Sequence, residues 1–306
     1  MATTLLLPLP GPSTWPEPTI LTGHLAPSSL RKYQQAQRAY LAFCATPAQA
    51  LQATSLARWR THLAQHTTLS PHTINRLLAA VKRLVKEAAA HGYIEVVTAA
   101  AFASVAGVKP QALKDRLKAT ARTRITPGQM RRLCDAPDPQ TLRGRRDRAL
   151  LATLASSGGR VSEVVTLQTD QLVTRAGRFV VQVLGKNQTV PRDAPLSQEA
   201  YMLIEAWLAR RPVESPHLFT SFAGRGPRAT AKPMSPTAVW QAVQQYAAVV
   251  GLRHVKPHDF RRFVGTELAK RDIRQAQKAL GHTRIETTAK HYVLDELEVG
   301  LTDGLY

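Results

Sequence analysis

The residues from Lys256 to Tyr292 combine side chains that can hold and attack a phosphodiester: Lys-Pro-His-Asp-Phe-Arg-Arg, then Leu-Gly-His, then Thr-Thr-Ala-Lys-His-Tyr-Val. Pro257 suits the first turn of a helix, where a missing N–H costs nothing. His258 and Arg261, three apart, leave one face of that helix, while Phe260, Phe263, Val264 and Leu268 turn inward. A second helix, from about Ile273 to Leu280, is expected to stop at Gly281 and present His282. Thr283 and Glu286 then have capping-box spacing for a third helix carrying Tyr292. Two histidines, an arginine and a tyrosine on three short helices can converge on one anion. Singly, each has an ordinary explanation: a surface pair, a helix cap, a core aromatic.

The charge says what that anion belongs to. The 306 residues carry a formal net charge of +20. Residues 1–120 hold 13 Lys+Arg against 4 Asp+Glu, and the remaining 186 residues hold 28 against 17, so the excess is spread over both halves. A basic tail would concentrate it. A polyanion gripped by both halves is the simplest reading, with solubility as the plainer alternative. Cys44 and Cys134 sit on apolar helical patterns without metal spacing and are expected to be reduced thiols. Leu5-Leu6-Leu7 runs into Pro8 and Pro10 without a basic flank. Neither a signal peptide nor a membrane span is expected, and the chain is placed in the cytoplasm, associated with the nucleoid.

The elements that must position these groups are mostly helical. Residues 1–25 are Pro-rich and read as a flexible N-terminus. Four helices follow over 26–108: from Ser28 or Ser29 to about Cys44, Ser55 to His66, Ser70-Pro71 to His91-Gly92, and an Ala-rich one near 98–106. The third buries Ile74, Leu78, Val81 and Val85 and shows Arg76, Lys82, Arg83 and Lys86 outside, the face of a compact DNA-gripping bundle. For any one lysine a solvated basic face is as good an account. Residues 109–124, including Lys114, Arg116 and Lys118, read as a basic linker across DNA. The second domain, 125–306, opens with a helix from Thr126-Pro127 to about Asp135, then a long one from Asp147 that breaks at Ser156-Ser157-Gly158-Gly159. The glycines let Arg160 approach a ligand closely, although Arg160 can equally pair with Glu163. Strands are expected only between Gln171 and Pro195: Arg178–Leu184, a Gly185-Lys186-Asn187 turn, and a return over Gln188–Pro191, which puts Lys186 on a hairpin tip. Helices resume over Ser197–Arg211 and Ser235–Val250, with Gly224–Pro233 between them as a flexible basic loop. The fold class expected is mainly α, a four-helix core-binding domain followed by an α+β domain with a small antiparallel sheet.

In that order, Gly-Gly-Arg160-Val-Ser-Glu, hairpin Gly-Lys186, Pro-His258-Asp-Phe-Arg261, Leu-Gly-His282 and the late Tyr292 resemble the tyrosine recombinases, the phage-integrase family, of the simple two-domain Xer-like type. The resemblance runs from about residue 25 to the end. It implies a site-specific recombinase that cleaves and rejoins double-stranded DNA through a 3′-phosphotyrosyl intermediate and a Holliday junction, as a dimer on one site and a tetramer in the synapse. In the implied set, Arg160 and Arg261 offer planar forks to the non-bridging oxygens, and His282 donates a further hydrogen bond. Lys186 is the general acid on the departing 5′-oxygen, and His258 is the proton acceptor for Tyr292, since an ordinary tyrosine hydroxyl titrates near about 10. Two departures stand out: Ser-Gly-Gly replaces the usual Thr-Gly-Leu before the first arginine, and the usual spacing from the Gly-His histidine lands on His291, one residue before Tyr292. Tyr306, at the C-terminus, is the other tyrosine that follows His282. A type IB topoisomerase-like enzyme uses similar residues, and a catalytically silent DNA-binding relative is the remaining alternative. No nucleotide-binding glycine loop and no acidic pair of metal sites is present in the sequence, so neither cofactor nor metal is expected.

After Tyr292, Leu294, Leu297 and Leu301 interleave with Asp295, Glu296 and Glu298 as an apolar helical stripe, expected to dock on a neighbouring protomer or fold back in cis. The basic balance of both halves gives the first prediction. If about 6–10 phosphates are contacted, affinity for duplex DNA falls roughly 10³–10⁵-fold between about 50 and 200 mM salt. A flat salt titration, read by fluorescence anisotropy, refutes the polyanion reading.

Overall fold

A computed structural model describes residues 15–116, 124–185, 188–224, 226 and 228–292, the His291 side chain excepted. The chain divides into two compact units, Met1–Thr120 and Ala121–Tyr306.

In the first unit the helices are α1 (Pro27–Phe43), α2 (Pro47–Ala50), α3 (Ala53–His66), α4 (Pro71–Ala90) and α5 (Val96–Ser104). Proline occupies the first turn of α1 and Ala26 its N-cap, so Ser28 and Ser29 lie inside the helix they were expected to cap. Ser70 does cap α4, accepting from Thr73 N, and Gly92 ends it at φ +76°. The core is aromatic: Tyr40 lies 5.1 Å from Trp59 and 5.3 Å from Trp15, and Phe102 is fully buried. Trp15 and the buried Leu21 show that the Pro-rich stretch joins this core from residue 15 onward. Asn75 pins the segment after α5 by a reciprocal pair, Nδ2 to Val108 O (2.9 Å) and Val108 N to Oδ1 (2.7 Å). Pro110–Arg116, expected as open linker, forms a 3₁₀ turn whose Leu113 packs on this unit. Residues 117–123 lie outside the described residues.

The second unit contains α6 (Pro127–Asp135), α7 (Leu142–Ser157), α8 (Val161–Val164), β1 (Leu172–Arg175), β2 (Arg178–Val183), β3 (Arg192–Pro195), α9 (Gln198–Leu208), β4 (Thr220–Phe222), β5 (Ala229–Pro233), α10 (Pro236–Val249), α11 (Pro257–Ala269), α12 (Ile273–Leu280) and α13 (Ile285–Tyr292). Leu150, Leu154, Val181, Ile204, Trp207, Phe219, Val243 and Phe260 form its core. The sheet β1-β2-β3 is antiparallel, with Val181 paired to both Leu172 and Ala194.

Two strand expectations are corrected. The return strand is Arg192–Pro195, not Gln188–Pro191: pairing ends at Val183 with Arg192, because Pro191 has no N–H for the ladder. Gln188–Pro191 therefore lies outside the ladder, and Val190 there is 74% exposed. Nor is Gly224–Pro233 wholly loop, since β5 pairs with β4. That hairpin is held by contacts no strand periodicity records: the Arg143 and Arg146 guanidiniums lie 4.7 and 4.6 Å from the Phe222 ring centre, and Arg146 Nη1 donates to Thr220 O (2.9 Å).

α7 starts five residues before the expected Asp147, at a Thr141 cap, which places Arg146 inside it. Its guanidinium donates to Asp147 Oδ1 (2.7 and 2.8 Å), and Tyr246 OH donates to Oδ2 (2.9 Å), all inside the core. Removing one partner strands the other charge. Asp147→Ala is therefore expected to cost about 3–5 kcal/mol, and Tyr246→Phe about 1–3 kcal/mol, both read from urea unfolding midpoints.

Candidate active site and nucleic-acid interface

The site of the second unit is built from helix ends. α7 terminates at Gly158, in the left-handed conformation at φ +59°. A Cβ there would also stand 2.9 Å from Leu280 Cδ2 and 3.1 Å from Val264 Cγ1, so glycine lets α7, α11 and α12 meet. Ser157 fixes the turn, donating to Thr153 O (2.7 Å) and accepting from Gly159 N (3.1 Å). A Cβ on Gly159 would come within 2.9 Å of Val164 Cγ2, which fills that space and gives a physical reason for the second glycine. α12 terminates the same way, at Gly281 with φ +66°.

Arg261, on the first turns of α11, is 1% exposed and spans these two ends. Nη1 donates to Gly158 O (2.9 Å), and Nη2 donates to Leu280 O (2.6 Å) and meets His282 Nε2 at 3.1 Å. On the far side of the His282 ring, Nδ1 lies 2.9 Å from the hydroxyl of the fully buried Thr288. The Tyr292 ring stacks on His282, centroids 5.5 Å apart and planes 17° apart, and is 4% exposed. A Cβ at Gly265 would run into that ring, so α11 needs glycine where Tyr292 crosses it.

Arg160 sits at the N-cap of α8, its side chain 39% exposed. The Glu163 pairing raised by the sequence is present: Arg160 Nη1 bonds Glu163 Oε1 (2.7 Å) and Arg160 N bonds Oε2 (2.9 Å), with the side chain still partly exposed. Burial pushes the Glu163 carboxyl up, but the Arg160 bonds and the Arg192 charge more than offset it and hold the group below its usual value. His258 lies one turn before Arg261 on α11, exposed as a residue but with its ring partly withdrawn from water beside Arg262 and Arg261.

Arg261 on α11, His282 after α12 and Tyr292 at the end of α13 are thus joined, while Arg160 stands at the start of α8 on Glu163. Lys186 and His291's side chain lie outside the described residues, as does the tail with Leu294, Leu297 and Leu301. The sequence pattern missed Arg192 and Thr288. Thr288 follows His282 by six residues, and Arg192 is 87 residues from one of its partners, so neither spacing carries a local signal.

In the first unit Arg76 and Lys86 are exposed on α4. Arg83 Nε lies 3.6 Å from Glu87 Oε2. Lys82 is turned inward, donating to Ala103 O (3.2 Å) and Val105 O, so it caps the end of α5. Lys114 is exposed, Arg116 Nε lies 3.9 Å from Asp115 Oδ2, and Lys118 is outside the described residues. Both cysteines are free, and burial pushes the Cys134 thiol up to about 12. Among the described residues no helix is long and apolar enough to cross a membrane.

Residues 123–297 match the phage integrase family. The chain is 32% identical over 238 residues to the tyrosine recombinase XerC of Azotobacter vinelandii, covering 77% of this chain and 73% of that one. It is 35% identical over 190 residues to XerD of Xanthomonas campestris pv. campestris, where it spans 58% of the relative's length. Among solved structures, the Tn1549 transposon integrase in complex with circular intermediate DNA has the same fold, with TM-score 0.66 over 94% of this chain and 96% of that one at 15% identity.

His258 yields a prediction that stands apart from any role. Desolvation of its ring, then the charges of Arg262, Arg261 and Arg160, outweigh Asp259 and hold it below the ordinary imidazole value. The unfolded chain therefore takes up this proton first, near about 6.5. As pH falls below that value the folded state loses stability, down to the lower folded-state value. Across the same window His258→Asn is expected to lose less than the wild type, read as the pH dependence of the urea midpoint. An equal slope in both refutes it.

Proposed function

The chain belongs to the phage integrase family, and on that premise we propose that it is a site-specific DNA recombinase working through Tyr292. Its hydroxyl oxygen attacks the scissile phosphorus and its proton passes to His258. The P–O5′ bond breaks, the 5′-oxygen takes a proton from Lys186, and a 3′-phosphotyrosyl bond remains. The freed 5′-hydroxyl of the partner duplex then attacks that bond and restores a phosphodiester, so the bond energy is kept and no nucleotide is consumed. Two rounds of such exchange pass through a Holliday junction.

The observation that carries this reading is the Tyr292–His282–Arg261 contact. The tyrosine is stacked on one candidate phosphate ligand, His282, which in turn meets the other, Arg261, at 3.1 Å. Arg160 and Arg261 would take the non-bridging oxygens, where charge grows in the transition state, and His282 would add a donor. That placement favours Tyr292 over Tyr306 as the nucleophile.

Duplex DNA is the proposed partner of both units, with Arg76, Arg83, Lys86, Lys114, Arg116 and Lys118 on phosphates and Lys82 contributing through the order it gives α5. A dimer on one site and a tetramer in the synapse are proposed for exchange, with the tail stripe reaching a neighbouring protomer. The recombinase reading is preferred to a topoisomerase because the relatives above are recombinases and an integrase. The proposed place of work is the nucleoid.

The test starts from a random-sequence duplex library, from which DNA that becomes covalently bound to the wild-type chain is recovered in EDTA. An adduct is expected with the wild type and with Tyr306→Phe. Tyr292→Phe is expected to give none while binding the recovered duplex with nearly unchanged affinity. An adduct that persists in Tyr292→Phe and vanishes in Tyr306→Phe overturns the assignment, and an adduct that needs Mg²⁺ points to different chemistry.

A further inference from the structure

Arg192 is the first residue of β3, directly after Pro191, and its side chain is 12% exposed. Nη2 donates to Glu163 Oε2 at 3.1 Å, and Nη1 donates to Ala279 O in the last turn of α12. The stem of the side chain lies over Gly281, where a Cβ would collide with Arg192 Cδ and Nε. One side chain thus joins β3, the first turn of α8 and the end of α12. These are the elements that present Arg160 and His282.

We propose that Arg192 is a positioning residue for the phosphate site: by sharing the Glu163 carboxylate it sets how much of the Arg160 charge is left for substrate. This rests on the assignment of Arg160 to the scissile phosphate. Glu163 is buried, and its oxygens are divided. Oε1 takes the Arg160 guanidinium, while Oε2 takes the Arg160 backbone N–H and Arg192. Two guanidiniums therefore compete for one carboxylate. With Arg192 present, Glu163 orients Arg160 without neutralising it. Without Arg192, the whole carboxylate charge falls on Arg160, which is drawn toward Glu163 and away from the open side of the site. The field at the phosphate weakens although no residue proposed to touch it has changed. The Ala279 contact holds the Arg192 guanidinium where it can share that carboxylate.

The experiment uses the full chain and the duplex recovered by covalent selection, once with its natural scissile phosphodiester and once with a neutral methylphosphonate there. Arg160→Ala is expected to slow adduct formation on the phosphodiester about 10²–10³-fold, and Arg192→Ala about 10–100-fold, as outer-shell partners do. Arg192→Lys falls between Arg192→Ala and the wild type. The methylphosphonate carries no charge to neutralise, so both defects are expected to shrink on it together. The rate ratio on the two substrates is taken from one preparation, so it does not depend on the fraction of variant that is folded. Because Arg192 acts through Arg160, Arg160→Ala/Arg192→Ala is expected to be no slower than Arg160→Ala. Defects that multiply in the double variant, or an Arg192→Ala defect equal on both substrates, overturn the proposal in favour of a general structural role. So does an unimpaired Arg192→Ala. If the wild type gives no adduct, the phosphate-site reading itself fails and the proposal falls with it. An Arg160→Ala variant as fast as the wild type removes the same premise.

Discussion

A buried guanidinium at the meeting of two helix C-termini is the constraint on which the second unit depends. Withdrawing a cation from water costs several kcal/mol unless its donors are satisfied. Arg261 meets that cost with the carbonyls of Gly158 and Leu280, groups that a helix end leaves without internal partners and that carry the negative end of the helix dipole. Those carbonyls are turned to it because both helices stop in the left-handed region at glycine. The glycines, the arginine and the crossing of α7, α11 and α12 therefore specify one another. His282 follows one of the glycines, and Arg160 follows the other by two residues, so the rest of the site is positioned by the same arrangement.

The charge balance of the site follows. Desolvation, with the neighbouring charge of Arg160 and, for Arg192, that of Arg261, holds the Arg192 and Arg261 guanidiniums below their ordinary value, and Glu163 is the carboxylate that opposes this at both. Three cations against one anion leave a surplus in a partly desolvated pocket, which is unfavourable until an anion arrives. A phosphodiester supplies one negative charge, and the transition state for its cleavage supplies more on the same oxygens. Preorganised donors of this kind favour the transition state over the ground state. By contrast Arg146 and Asp147 in the same unit balance each other, are closed off by Tyr246 and Thr220, and have no open side. Burial of charge is common to both clusters. Only the first is left electrically incomplete.

Much of this was legible in the sequence wherever the determinant is local. α6, α11 and α12 follow from a capping threonine, a proline at the first turn and a terminal glycine, all readable within a few residues. The aromatic and aliphatic stripe of α4 is equally plain. What could not be read depends on partners distant in the chain. β5 is a strand because Arg143 and Arg146, some 80 residues earlier, hold its hairpin. Arg192 sits in a short polar strand with no motif of its own, and its meaning comes from Glu163 and Ala279. Tyr292 was placed by its company in the sequence, yet the reason it fits, the bare backbone of Gly265 beneath its ring, lies on another helix.

The first unit shows why composition alone overstates a nucleic-acid surface. On the outer face of α4, four cations occur at helical spacing, and the sequence treats them alike. The fold does not. Lys82 gives its hydrogen bonds to the end of α5, and Arg83 has Glu87 beside it. Arg76 and Lys86 keep their charge at the surface. Desolvation holds the Lys82 ammonium below its usual value, the signature of a group partly removed from water by its own fold. Its removal would disturb α5 before it disturbed any phosphate contact, whereas Arg76 and Lys86 can act on a polyanion directly. Equal charges on one helix face therefore divide into those that hold the unit together and those available to bind, and the division is made by the carbonyls left over at the end of a neighbouring helix.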